Sequence, residues 1–116
     1  MARFFVHSAT GPENPTRAAL ALLVARTAAA EGHEVVVFLA GDAVHLARDE
    51  TAAAVTGVGT GSAAEHLAAL RDGGAEIYLS GLSSKARGID APGWAQAAPP
   101  EKLVELAVWA ETALTY

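Results

Sequence analysis

Eight residues near the ends of three hydrophobic runs carry the side chains best placed to do chemistry: His7, Ser8, Gly41, Asp42, Ser80, Ser83, Lys85 and Arg87. Ser80 and Ser83 lie on a glycine-containing stretch, where hydroxyls and backbone N–H groups can hold a small polar ligand. The same serines can cap a short helix, which is the commoner use of such residues and the favoured reading. A serine nucleophile is less well supported. The elbow motif G-x-S-x-G is absent, since Leu79 precedes Ser80, and no base can be assigned from sequence. Lys85 and Arg87 could bind an anion at the start of that helix. They could equally pair with Asp42, Asp90 or a neighbouring subunit, and ion pairing is favoured because it is so common on protein surfaces.

His7 and His45 fall near two of the expected strand ends, while His33 precedes a strand and His66 lies on a helix. No H-x-x-x-H spacing links any of them, so no metal site is expected and ordinary half-buried histidines are the better reading. Asp42 follows Gly41 as a phospho-acceptor might, but the acidic companions that would hold Mg²⁺ are missing; N-capping of the next helix explains it better. Gly57-Val58-Gly59-Thr60-Gly61 resembles a phosphate loop only in its glycines. It satisfies neither G-x-G-x-x-G nor the Walker spacing and reads as a flexible turn.

The chain has no cysteine. Disulfides, thiolate nucleophiles, persulfide carriage and cysteine-ligated metals are therefore excluded for these residues. No cofactor motif is recognisable.

These candidates need a scaffold. Arg3–His7 predicts a first strand, and Ser8–Glu13 a loop. Asn14 is a good N-cap with Pro15 at the first helical position; Leu20, Leu23, Val24 and Thr27 then share one face, and Gly32 ends the helix. Val35–Leu39 is apolar throughout and predicts a strand covered on both sides. A short helix is expected near Ala43–Arg48, and 49–61 reads as loop. Ser62 and Glu65 form a capping box for a helix running to Asp72 and stopping at Gly73-Gly74. Ala75–Leu79 is the next strand, followed by a short helix over Leu82–Arg87. A strand at Trp94–Ala97, a helix opened by Pro100 with Leu103, Leu106, Ala107 and Ala110 inward, and an edge strand over Thr112–Tyr116 complete the pattern. Trp94 and Trp109 read as packing anchors, with a subunit interface as the second use.

Strand–helix alternation predicts a single domain over residues 1–116: a three-layer α/β/α sandwich around a mainly parallel sheet of about five strands. In such sheets ligands bind beyond the carboxyl ends of the strands. The loops His7–Gly11, Ala40–Val44 and Ser80–Ser84 should therefore meet at one edge.

The 116 residues are 52% hydrophobic and 18% charged, enough for one folded core. Thirteen acidic against eight basic residues give a net charge of -5, which argues against a nucleic-acid partner. The longest apolar run, Ala18–Ala25, is far short of a membrane span, no signal peptide is recognisable, and a cytoplasmic protein with no membrane association is expected.

Several stretches together resemble the DsrE/DsrF-like family of sulfur-relay proteins, including its small YchN-type members. They are Gly11-Pro12-Glu13-Asn14-Pro15-Thr16-Arg17, Glu31 to Leu39, the Gly41-Asp42-Ala43-Val44 turn, Ala75 to Ser83, Lys85-Ala86-Arg87-Gly88-Ile89 and the closing Leu103 to Ala107 helix. The resemblance implies a parallel-sheet subunit that assembles as a homo-oligomer, a trimer or hexamer, and that works with sulfur-relay partner proteins. It also implies a persulfide-bearing cysteine at the end of the third strand, where this chain has Ser80, and in some members a second cysteine where it has Ser83. A serine hydroxyl cannot hold a persulfide. The expectation is therefore a non-catalytic oligomer that binds a small ligand or partner. The alternatives are an accessory subunit whose partner supplies the thiol, or a small hydrolase-like enzyme that uses Ser80, His7 or His45 in hydrolysis or proton transfer.

Overall fold

The computed structural model describes residues 1–116. Its seven strands are β1 (Arg3–Ser8), β2 (Glu34–Leu39), β3 (Thr56–Gly57), β4 (Gly61–Ser62), β5 (Glu76–Ser80), β6 (Gln96–Ala98) and β7 (Thr112–Thr115). The helices are α1 (Pro15–Ala30), α2 (Asp49–Ala54), α3 (Ala63–Asp72), α4 (Gly81–Ala86) and α5 (Pro100–Trp109), with a 3-10 segment over Gly41–Ala47. Five strands form one parallel sheet in the order β6-β5-β2-β1-β7. The fold is α/β, with helices on both faces of that sheet.

The alternating sides of the strands fill two cores. On one face Val6, Val35, Val37, Leu39, Ile77 and Leu79 pack with Ala18, Ala21, Leu22 and Ala25 of α1, Leu67 and Leu70 of α3, and Val44 and Leu46 of the 3-10 segment. On the other face Phe5, Val36, Phe38, Tyr78 and Ala98 lie with Leu106 of α5. The handedness of crossovers explains the split. The chain steps from β1 to β2 to β5 in one direction across the sheet. It then returns from β6 at one edge to β7 at the other. A right-handed connection running backwards must cross the opposite face, which places α5 there. The second face is thus covered by a single ten-residue helix.

Local signals account for most boundaries. Asn14 Oδ1 accepts the Arg17 N–H at 3.1 Å, and Ser62 Oγ accepts the Glu65 N–H at 3.3 Å, so both residues are N-caps, although the Glu65 side chain makes no return bond and the capping box is only half made.

Four details differ from the sequence reading. The buried face of α1 is Ala18, Ala21, Leu22, Ala25 and Ala28, not the Leu20, Leu23, Val24 and Thr27 stripe. Alanines let the helix axis approach the sheet, so the small-residue side turns inward, and Thr27 stays exposed with its hydroxyl donating to the Leu23 carbonyl. In α5, Leu103, Leu106 and Ala110 face the sheet but Ala107 is exposed. The strand expected at Trp94–Ala97 lies one to two residues later, at Gln96–Ala98. Residues 49–61 are ordered structure: α2 and then the β3–β4 hairpin, whose turn uses Gly59 and Gly61 at positive φ. Thr16 clamps that hairpin. Its Oγ1 accepts the Val58 N–H at 3.0 Å and its carbonyl accepts the Thr60 hydroxyl at 3.0 Å. His66 secures the hairpin from below. Arg26 can only donate, so His66 Nδ1 accepts from it at 3.3 Å, and Nε2 carries the proton given to the Thr60 carbonyl at 2.7 Å.

Candidate functional site

Because all five strands are parallel, their carboxyl ends share one edge, and the loops after β1, β2 and β5 meet there. The contacts are specific. Gly11 packs so tightly on the Asp42 backbone that a Cβ would run into the Asp42 carbonyl. The Gly41 N–H donates to Ser83 Oγ at 2.9 Å, joining the second loop to the third.

Ser80 caps α4: its Oγ accepts the Ser83 N–H at 3.1 Å. The helix-capping reading of Ser80 therefore describes the geometry, while Ser83 uses its hydroxyl to hold the neighbouring loop. Removing that hydroxyl in Ser83→Ala leaves the half-buried Gly41 N–H without its acceptor. We expect a loss of about 1 kcal/mol, read as a fall in melting temperature of about 4 °C in thermal denaturation.

Asp42 does not cap the 3-10 segment as expected; Ala40 occupies that position, with no side-chain bond. Its carboxylate instead faces Arg87, whose Nε and Nη2 both approach Oδ1 at 3.1 Å while Nη1 donates to the Ser83 carbonyl at 3.2 Å. A fork-shaped cation can satisfy a carboxylate and a carbonyl at once, which a lysine could not do with the same rigidity. Lys85, by contrast, is exposed and makes no ion pair. It borders a separate apolar groove with Gly81, Leu82, Ala98, Pro99 and Pro100.

Ser8 is buried, and its hydroxyl is used within its own turn, on the N–H and carbonyl of Thr10. His7 lies on the second face of the sheet, its ring 6.3 Å from that of Phe38. In register, His7 is opposite Phe38 and Phe38 opposite Tyr78. Ser80 is therefore two strands across and two residues further on, a separation of roughly 12 Å from strand spacing and rise alone. His7 cannot act as its base, and no histidine hydrogen-bonds Ser80.

Burial lowers the His7 pKa below its ordinary value of 6.5. The unfolded chain then takes up a proton near pH 6.5 that the folded chain resists. Stability must fall as pH drops from 6.5 towards the folded-state pKa and level off below it. We expect the melting temperature of the wild type to decline across that interval and His7→Asn to flatten the slope; both are read from thermal denaturation at a series of pH values.

The largest concavity at this edge is a cleft of about 660 Å³ between the loop after β1 and the 3-10 segment and α2. Pro12, Glu13, Pro15, Asp42, His45, Glu50, Thr51, Ala54 and Val55 line it. Of the eight candidates only Asp42 borders it; Arg87 pairs with Asp42, Ser83 holds the neighbouring Gly41, and Ser80 caps α4. His45 Nε2 lies 4.0 Å from Asp42 Oδ1. Glu13 Oε1 accepts the Gly11 N–H at 2.8 Å, fixing that carboxylate at the mouth. Glu13, Glu50 and Thr51 were not among the candidates. The acidic pair Asp49-Glu50 in a first helical turn is the one sequence signal for them. No three histidine or carboxylate side chains in the chain come close enough to hold a metal ion, and no helix is long and apolar enough to cross a membrane.

Comparisons with known proteins agree with this architecture. No curated protein matches the sequence. Among solved structures, the YchN protein of E. coli superposes with a TM-score of 0.83, covering 100% of each chain at 16% identity, a likeness that establishes the fold. The model of the DsrE/DsrF-like family matches residues 2–115. A match of that extent makes this chain a cysteine-less member of the DsrE/DsrF-like family.

Proposed function

We propose that this protein is a non-catalytic, homo-oligomeric member of its family, a trimer or hexamer, that binds a small ligand or partner through the strand-end cleft beside Asp42. The observation that carries the reading is the state of Ser80. It stands where the resemblance puts a persulfide cysteine, its Oγ accepts a helix N–H, and it has no base. The cleft beside Asp42, which Ser80 does not line, has the size of small-molecule sites. Assembly is supported by apolar surface left on two helices. Val104 and Val108 of α5 are 63% and 81% exposed, and Leu20, Leu23 and Val24 of α1 are only half-buried. Size-exclusion chromatography with light scattering at micromolar concentration tests the assembly. A mass of three or six chains is expected, and a strict monomer contradicts it.

The absence of cysteine from a chain of this family also favours a second reading, an accessory subunit whose partner supplies the thiol. Native mass spectrometry with a cysteine-bearing homologue decides between them, since only the accessory subunit forms a mixed complex.

A further inference from the structure

Resting on the reading that the strand-end cleft is a ligand site, we infer that it selects aliphatic polyamines. The lining divides into two kinds of surface. Pro12, Pro15, Ala54 and Val55 form apolar wall, and Glu13, Asp42 and Glu50 bring three carboxylates to it. No lysine or arginine lines it. Arg87 is bound to a single oxygen of Asp42, the same oxygen that lies 4.0 Å from Nε2 of the lining His45, so both groups leave Glu13 and Glu50 unpaired. Arg48, next in sequence to α2, donates to the Gly88 carbonyl. Glu13 uses one oxygen on Gly11, leaving the other free, and Glu50 makes no ion pair or hydrogen bond.

The spacing of these acids narrows the ligand further. The three do not converge to form a metal-binding group, so they make no cage for one ion. A polyamine suits carboxylates that stand apart along an apolar wall. Its ammonium groups are set apart along a hydrocarbon chain, and its methylenes can lie against the proline and alanine wall while each charge meets a different carboxylate. An anion would face two uncompensated negative charges, and a neutral apolar molecule would desolvate them without return.

Isothermal titration calorimetry of the full chain with spermidine tests the inference, with magnesium chloride and a dicarboxylate, succinate, as comparisons. Spermidine should bind, the other two should not, and affinity should fall with added salt. Glu50→Gln, at an exposed position, should weaken spermidine about two- to fivefold, as expected for the loss of one exposed charge contact. Ala54→Trp, also exposed, should abolish binding by filling the cleft. Spermidine binding that is unchanged in both variants overturns the site. If succinate binds in place of spermidine and Ala54→Trp blocks it, the ligand class is wrong while the cleft remains a ligand site. If none of the probes binds, the polyamine inference fails, and a wider small-molecule screen with Ala54→Trp as the blocked control tests the cleft itself.

Discussion

Gly11→Ala is expected to destabilise the protein by about 3 kcal/mol, the upper part of the range for forcing atoms into a packed site. The melting temperature should fall by about 12 °C at this chain length. Gly11 is buried, and its would-be Cβ meets the carbonyl oxygen and carbon of Asp42. Both obstructing atoms are backbone, so no side chain can rotate away. Relief requires the loop after β1 to separate from the 3-10 segment after β2. That segment is tied to Ser83 through Gly41 and to Arg87 through Asp42, so the strain spreads across the whole strand-end edge. Gly93→Ala is the matched control. Nothing lies near its Cβ position, and the change there should be within about 0.5 kcal/mol. Thermal denaturation of the two variants side by side reads the difference. Equal melting temperatures would show that the loops do not meet as described.

The parts of this fold that were legible in the sequence are those set by local pattern. Val35–Leu39 is apolar on both sides because the strand is central, and the burial of every residue from Val35 to Leu39 follows. Asn14 and Ser62 are caps because a polar side chain before a helical run has a nearby N–H to accept. What the pattern could not settle was which side of α1 turns inward. Alanine and leucine occupy nearly its whole circumference, so periodicity leaves no unique stripe, and the choice falls to close packing against the sheet. Residues 49–61 failed for a different reason. The hairpin there is held by Thr16 and His66 rather than by strand propensity.

The same distinction runs through the site. Ser80 was legible as a cap because its partner is three residues away. Asp42 was assigned to a cap that it does not make, because its true partner, Arg87, is 45 residues distant. The cleft itself combines side chains from the loop after β1 and from α2, and no motif relates them. Glu13 and Glu50 each look like an ordinary acid near a helix N-terminus. Only the fold places them around one cavity.

The largest loss of stability should come from Phe38→Ala. The ring is 1% exposed and sits between two others on the second face, His7 at 6.3 Å and Tyr78 at 6.4 Å. Truncating a buried phenylalanine costs about 3–5 kcal/mol, depending on how far the surroundings collapse. Here collapse is restricted from below. Phe5, Val36 and Tyr78 are fixed to the sheet by strand register and cannot move inward independently. From above, α5 is the only helical cover, and its one fully buried residue is Leu106. We therefore expect about 4 kcal/mol, a large share of the stability of a small domain, seen as a lower urea midpoint with unchanged slope. A second effect separates this explanation from generic core damage. With the ring gone, water reaches the His7 side of the sheet, the desolvation that lowers the His7 pKa is relieved, and the acid-side decline in melting temperature should become shallower in Phe38→Ala. Leu22→Ala, on the opposite face, should lower stability by about 3 kcal/mol and leave that pH slope as it is. A slope that stays the same in Phe38→Ala, or that flattens equally in both variants, would show that Phe38 is not what keeps water from His7.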